Sequence, residues 1–432
     1  MTRAGTVGTV NVGLLGCGNV GAALVELLAE RRDAIAARTG ITLDVTRVAV
    51  RDVAKHRSVT PPPGVLTDSA ADVVKDPDVE IVVELIGGLE PARELVLDAL
   101  AAGKPVVTGN KELLATAGAE LFDAAGKAGV DLLFEAAVGG GIPLIRPLRE
   151  SLAGERVERV MGIVNGTTNY ILTRMTEAGA TYEEALAEAQ QLGYAEADPT
   201  ADVEGHDAAA KAAILAGIAF GVKVTDADVH REGVSGVTAT DIAYAGRLGY
   251  LVKLLAIAEM VDGEVAVRVH PVMIPREHPL AAVRESFNAV FVEGAAVGEL
   301  MFYGRGAGGR PSASAVLGDL IDAAVNLRRG AHAPIGTLAS ARLRPIDELS
   351  SQFYLSIEVA DRPGVLAAVA GVFGEHDVSI RSMEQVGLGD EAELVFITHT
   401  AAERAMQATI AGLDALEVVD RVGSLIRVVG PE

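Results

Sequence analysis

Between Gly193 and Lys211 the chain gathers Glu196, Asp198, Asp202, Glu204, His206, Asp207 and Lys211, then runs on into an alanine-rich segment. Asp207 and Lys211 stand four residues apart, so a helix carries both on one face, within reach of each other. Glu196 precedes Pro199, which favours extended or turn backbone and keeps the glutamate off that helix, on a loop. A lysine held by carboxylates donates or accepts a proton once burial moves its pKa toward neutrality. A loop followed by a solvated ion pair has the same residue pattern, so the rest of the chain must decide.

Other segments carry chemistry of their own. Pro105-Val106-Val107-Thr108 reads as a strand ending in Gly109-Asn110-Lys111. Open parallel sheets hold ligands beyond the carboxyl ends of their strands, so Lys111 is aimed at such a crevice. Asn165-Gly166-Thr167-Thr168-Asn169 precedes an expected helix, Tyr170 to Glu177. Its hydroxyls, amides and backbone donors suit a carboxylate, although a single one of them would suffice for a cap. Val130 to Phe134 reads as a strand opening onto Glu135 to Pro143, where Gly139, Gly140 and Gly141 free carbonyls for a ligand or a hard cation. Tight chain packing is the commoner explanation of three glycines.

The elements that would position these groups follow from composition and pattern. The 432 residues suggest two or three domains. Half are hydrophobic, there is no tryptophan, and Val, Leu, Ala and Gly runs predict an α/β protein. A net charge of −22 argues against binding along a nucleic-acid backbone. Cys17 is the one cysteine, which excludes an intrachain disulfide. Met1 to Gly8 lacks an apolar signal core, and Lys211 and Lys223 interrupt the apolar run near residue 215. No membrane span and a cytoplasmic location are therefore expected.

Val10 to Leu15 reads as a strand that leads into Gly16-Cys17-Gly18-Asn19-Val20-Gly21 and then into helical periodicity. That is the order of a dinucleotide fingerprint, with the phosphates at the free amides of the helix N-terminus. Gly16 is expected to turn the chain, Gly18 to admit the pyrophosphate, and Gly21 to let helix and strand pack. The next strand, Leu43 to Val50, ends in Arg51-Asp52. Arg51 favours the 2′-phosphate of NADP, while the neighbouring Asp52 leaves NAD open. Val79 to Leu85 is a further strand, and Pro91 opens the helix after it. Val160 to Val164, Val265 to Val272 and Ala289 to Val297 read as strands beyond this half, the second leading into Pro271 and Pro275. Phe302 to Arg310 is a glycine-rich turn before the helix Ala313 to Arg328; it either closes the cofactor site or acts as a hinge.

Taken in order, Gly16 to Gly21, Thr108 to Lys111, Glu135 to Pro143, Asn165 to Asn169, Glu196 to Lys211 and Gly304 to Gly308 resemble homoserine dehydrogenase. The resemblance implies interconversion of L-homoserine and L-aspartate 4-semialdehyde with NADP or NAD. It implies that Lys111 and Lys211 flank the reacting carbon, Lys211 being the proton donor, and that Asp207 orients Lys211 and the reacting oxygen. Glu196 would contact the substrate's amino group, beside Gly166, Thr167, Thr168 and Asp202. Gly16, Gly18, Asn19, Val20, Gly21, Arg51, Lys111 and Gly308 would hold the cofactor. A sodium ion would sit at Glu135, Val138, Gly140 and Ile142.

The last hundred residues read separately. Phe353 to Val359, the helix Val365 to His376, strands near Val378 to Gln385 and Glu393 to Thr400, the helix Ala402 to Leu413 and a strand Val418 to Val429 make a ferredoxin-like β-α-β-β-α-β. Asp361-Arg362-Pro363-Gly364-Val365-Leu366 resembles the turn of an ACT domain, which implies threonine as feedback inhibitor near Asp361 and Gly364, and sheet pairing between chains. The expected organisation is a Rossmann-type domain over 1–145, completed by 304–330, an α+β substrate and dimerisation domain over 146–303, a linker over 331–350, and an ACT domain over 351–432. A homodimer or homotetramer is expected. With the fingerprint opening at residue 16, an upstream aspartate kinase domain is not expected. A different dehydrogenase of amino-acid aldehydes, or a non-catalytic sensor of nucleotides and amino acids, shares many of these features. The second lysine, Lys111, argues against pure sensing.

Overall fold

Runs of Val, Ile and Leu broken by glycine turns build a parallel sheet in the N-terminal part. The structure is a computed structural model that describes residues 8–57, 59, 64–333, 336, 338–340, 342–387 and 391–430. Its first elements are β1 (Gly8–Leu15), α1 (Asn19–Thr39), β2 (Ile41–Ala49), β3 (Leu66–Thr67), α2 (Ala70–Lys75), β4 (Ile81–Glu84), α3 (Ala92–Ala101), β5 (Val106–Thr108), α4 (Lys111–Ala128) and β6 (Leu132–Leu133). The strands lie in the order β3-β2-β1-β4-β5-β6, and their pairings are parallel. This is the doubly wound arrangement of the Rossmann fold, whose strand order reverses at β1 and opens a crevice there. Both faces are covered, so Val10, Val12, Leu14, Ile81, Val83 and Val107 are fully buried.

The next elements are β7 (Val157–Ile163), α5 (Gly166–Ala178), α6 (Tyr182–Gln191), α7 (Thr200–Val203), α8 (His206–Phe220), β8 (His230–Arg231), α9 (Ala239–Arg247), β9 (Tyr250–Val261), β10 (Glu264–Pro275), β11 (Phe287–Gly294), β12 (Gly298–Arg305) and α10 (Gly309–Arg329). Two compact units share the chain. One takes Met1–Val160, Ala210–Asp228 and Asn288–Ala341; the other takes Met161–Ala209, Val229–Phe287 and Arg342–Glu432. In the first unit α10 returns to pack on α1, burying Ala313, Val316, Leu320 and Ala323 in the core of the parallel sheet.

Two local expectations are corrected. The helix after the Asn-Gly-Thr-Thr-Asn segment begins at Gly166, not Tyr170, because the Asn165 side chain already accepts the Thr168 amide as N-cap. The strand expected to stop at Val272 continues through Pro271 to Pro275. Pro271 falls between two short parallel partners of β10, namely β8 at Arg268–Val269 and a later strand at Val272–Met273, so its missing amide interrupts neither. β9 and β10 form an antiparallel hairpin turned by Asp262 and Gly263, at φ 52° and 83°.

The C-terminal elements are β13 (Ser350–Ala360), α11 (Val365–Glu375), β14 (Ile380–Gly387), β15 (Glu391–Thr398), β16 (Ala401–Ala402), α12 (Glu403–Asp414) and β17 (Val419–Val428). Within the second unit the strand order β10-β17-β13-β15-β14 joins β17 to β10 through Val272–Arg427 and Met273–Val428. Phe353, Leu355, Ile357, Phe373, Phe396, Met406 and Leu413 form the core of this β-α-β-β-α-β module. At the join, Arg427 is buried and donates to Glu232 and to Glu403 at 2.6–3.0 Å. Buried Asp241 accepts from Tyr354 at 2.9 Å and from Ser424 at 2.6 Å. In the stretch expected as a linker, Ala339 bridges Val222 and Leu343 bridges Val265; Pro334 and Ile335 lie outside the described residues.

Candidate active site

The glycine turn after β1 sorts its three glycines by what a side chain would meet. Gly16 has φ +97°, and a Cβ there would stand 2.6 Å from the Leu85 carbonyl oxygen. A Cβ on Gly21 would lie 2.3 Å from the Gly16 carbonyl oxygen, which ties helix to turn. A Cβ on Gly18 would meet nothing within 4 Å, so that face of the backbone is open to a ligand. No side chain caps α1, which leaves the amides of Asn19 and Val20 available. Gly308, at φ 128°, starts α10 without a side-chain cap, and a Cβ on Gly309 would come within 3.1 Å of the Asn19 carbonyl oxygen. Two uncapped helix N-termini thus meet beside the open glycine, a setting that favours a doubly charged phosphate pair. Beyond β2, Arg51 is exposed, whereas the Asp52 carboxylate accepts the Ala54 amide at 2.9 Å.

At the ends of β4 and β5 a buried carboxylate organises the crevice. Glu84 is fully buried and accepts the amides of Ile86 and Gly87 at 2.8 and 3.1 Å and the Thr108 hydroxyl at 2.5 Å. Thr108 in turn accepts the Asn110 amide at 3.0 Å. Asn110 caps α4 through Leu113 and donates to the Gly88 carbonyl at 2.7 Å. Lys111 is therefore the first residue of a helix whose entry is fixed on three sides. Sequence reasoning missed Glu84, whose only signal was a carboxylate closing an otherwise apolar strand.

In the second unit, Asn165 donates to Asp202 at 2.7 Å and to Asp207 at 2.8 Å while its oxygen caps α5. The Thr167 hydroxyl lies 2.6 Å from the Tyr194 carbonyl and 3.1 Å from Asp202. Asp207 is buried on α8, and one turn further along the same helix Lys211, which belongs to the first unit, is buried too. Glu196 is exposed on the loop after Ala195, as its position before Pro199 suggests. Asp198 holds the amide and hydroxyl of Thr200, hydrogen bonds that lower its pKa and give it a local turn role. In the first unit a cavity of about 420 Å³ is lined from α4 by Leu114, Ala115 and Gly118 and from α8 by Ala213, Ile214 and Gly217. Lys111 and Lys211 do not line it; each stands one turn before residues that do.

The profile of the homoserine dehydrogenase family matches residues 143–321, that of its NAD-binding domain matches 16–135, and that of the ACT domain matches 353–418. The homoserine dehydrogenase of Corynebacterium glutamicum is 50% identical over 424 residues, covering 97% of this chain and 95% of its own. That of Mycobacterium tuberculosis is 51% identical over 433 residues, covering 98% of each. The chain belongs to the homoserine dehydrogenase family. The crystal structure of a homoserine dehydrogenase from Thiobacillus denitrificans matches with a TM-score of 0.92 at 43% identity over 98% of both chains. A hyperthermophilic archaeal homoserine dehydrogenase in complex with NADPH matches at 0.63 and 31% identity, over 73% of this chain and 98% of that one. The protein is accordingly an oxidoreductase of homoserine and aspartate semialdehyde with a nicotinamide-dinucleotide domain, and the non-catalytic sensor is set aside. No helix among the described residues is long and apolar enough to cross a membrane.

Two further places in the chain bear on ligands. Buried Glu135 accepts the amides of Leu144, of Ile145 at 2.7 Å and of Arg146 at 2.9 Å. Its own amide donates to Asp319, whose pKa burial raises to about 7. Among the described residues no donor meets the carbonyls of Val138, Gly140 and Ile142, which are themselves buried. A Cβ on Gly140 would stand 2.4 Å from the Gly306 carbonyl oxygen, so the chain there is pressed close as well. Carbonyls without a donor, on the loop that follows a buried carboxylate, fit an oxygen-seeking cation. In the ACT module, Asp361, Arg362, Pro363, Gly364 and Gln385 line a cavity of about 350 Å³, and Gln385 donates to Asp361 at 3.3 Å.

Proposed function

We propose that Lys211 donates the proton to the oxygen formed when L-aspartate 4-semialdehyde is reduced to L-homoserine, and that Lys111 supports the developing negative charge. The nicotinamide supplies the hydride. An ammonium close to the carbonyl oxygen stabilises the oxyanion as it forms and then protonates it. In the reverse direction a neutral lysine takes the alcohol's proton. Asp207, held by Asn165, orients Lys211 from one turn away. Gly166, Thr167, Thr168 and Asp202 receive the substrate's polar ends, and Glu196 its amino group. The observation that carries this reading is the burial of Lys211 and Asp207 on one helix face, with Asn165 fixing the carboxylate.

Gly16, Gly18, Asn19, Val20, Gly21 and Gly308 hold the dinucleotide phosphates. Exposed Arg51 favours NADP over NAD, since Asp52 is engaged in its own turn. Glu135 and the carbonyls of Val138, Gly140 and Ile142 hold sodium. Threonine binds near Asp361 and Gly364 and inhibits. The division at 145, 303, 330 and 350, an assembly of two or four copies and a cytoplasmic location complete the proposal. NADPH oxidation assayed with aspartate semialdehyde beside other aldehydes tests it: preference for aspartate semialdehyde is expected, and equal turnover of unrelated aldehydes overturns it.

A further inference from the structure

Lys253, near the start of β9, lies buried between Val252 and Leu254, and the mechanism above gives it no role. An ammonium in such a place carries a desolvation cost that its hydrogen bonds must offset. Burial, opposed by the pull of Glu177 and reinforced by Arg284, lowers its pKa to about 8. Its two acceptors are neutral: the Asn169 side-chain oxygen at 2.9 Å and the Val283 carbonyl at 2.6 Å.

Asn169 closes the Asn-Gly-Thr-Thr-Asn segment. An ammonium only donates, so Lys253 fixes which end of the Asn169 amide it meets. The amide nitrogen is thereby turned to the carbonyls of Glu285 at 2.8 Å, Phe287 at 3.2 Å and Val283 at 3.4 Å. The same 283–287 segment is tied to α5 twice more. The Glu285 amide donates to Thr173 at 3.2 Å, and Arg284 pairs with Glu177. Asn169, Thr173 and Glu177 form one row along the helix. These ties accompany a φ of 55° at Glu285, uncommon for a residue other than glycine. The Ser286 carbonyl oxygen lies 2.8 Å from where a Cβ on Gly166 would stand, against the first residue of α5.

We propose that Lys253 is a positioning residue for the substrate: by orienting Asn169 it holds residues 283–287 against α5 and sets the shape of the helix N-terminus at Gly166 to Thr168. This rests on the reading of that N-terminus as the seat of the substrate's carboxylate. Lys253→Met leaves the buried Asn169 oxygen without its donor and the Val283 carbonyl with only the 3.4 Å bond from the Asn169 amide, and lets the segment shift.

In Lys253→Met the KM for aspartate semialdehyde should rise about tenfold, the effect of one lost buried hydrogen bond. NADPH affinity should stay as in the wild type and kcat should change much less than KM, the split that separates positioning from a general loss of structure. Lys253→Arg, which keeps donors, should recover part of the KM. Hydrogen exchange at residues 166–169 and 283–287 should quicken in Lys253→Met. An unchanged KM with unchanged exchange, or a loss confined to kcat, overturns the proposal. If Lys253→Met does not fold, Lys253→Leu, which likewise lacks a donor, should raise KM in the same direction, and an unchanged value there overturns it. The exchange measurement needs no substrate, so a wild type inactive on aspartate semialdehyde would sink the catalytic reading while exchange still decides the role of Lys253.

Discussion

The side-chain amide of Asn165 donates to the carboxylate of Asp207 across 2.8 Å, and its other hydrogen goes to Asp202. With its oxygen spent on the cap of α5, this one residue both begins a helix and aims a carboxylate one turn ahead of Lys211. Asn165→Ala should lower kcat/KM by roughly 10- to 100-fold, because hydrogen bonds to charged groups are lost. Steady-state kinetics beside a thermal melt measure it; wild-type kinetics with a lowered Tm would reduce Asn165 to a cap.

Lys211→Met should cost turnover about 100-fold or more, the usual scale of a lost proton donor. NADPH binding, followed by fluorescence titration, should survive. Near-wild-type turnover would refute the assignment.

Gly18 and Gly21 should separate under substitution. Gly21→Ala drives a Cβ against the Gly16 carbonyl and should destabilise the fold by about 1–3 kcal/mol. Gly18→Ala meets nothing in the protein and should fold normally while weakening NADPH binding. Equal melts with equal cofactor affinities would contradict both.

Acid should loosen the contact between β10 and the C-terminal module. Burial pushes the Glu232 carboxyl up, but hydrogen bonds from His230 and Arg427 outweigh it and bring its pKa from 4.5 to about 2. The folded value lies below the unfolded one, so this stabilisation is complete above the unfolded value and fades as pH falls from 4.5 toward 2. Melting temperature should therefore drop across that window more steeply in the wild type than in Glu232→Gln. Parallel slopes would mean that the carboxylate is not coupled to folding.

Asp361→Ala should raise the threonine concentration for half-inhibition about tenfold, the effect of one lost polar contact. Inhibition curves for the full chain measure it, and an unchanged curve would remove this cavity from threonine sensing.

Much of the fold was legible because its signals are local. The parallel strands announce themselves as apolar runs ended by glycine, and the C-terminal module as alternating strands around amphipathic helices. The start of α5 was read too late because Gly-Thr-Thr has little helical preference of its own; the Asn165 cap and the close approach of Ser286 make it helical. β9 escaped notice, and its buried Lys253 is paid for by partners at residues 169 and 283. Glu84 was overlooked for the same reason, since one of its ligands, Thr108, lies a whole strand-helix unit away. Distant partners leave no periodic trace in a sequence.

The pairing of Arg427 and Val428 with Val272 and Met273 bears on how such enzymes are re-engineered. A chimera that exchanges the sensing module for one tuned to another amino acid must also bring a compatible last strand and a cation at position 427. Without them the donor would strip a ladder from β10 and strand Glu232, so clean transplantation requires the graft to begin inside the catalytic half.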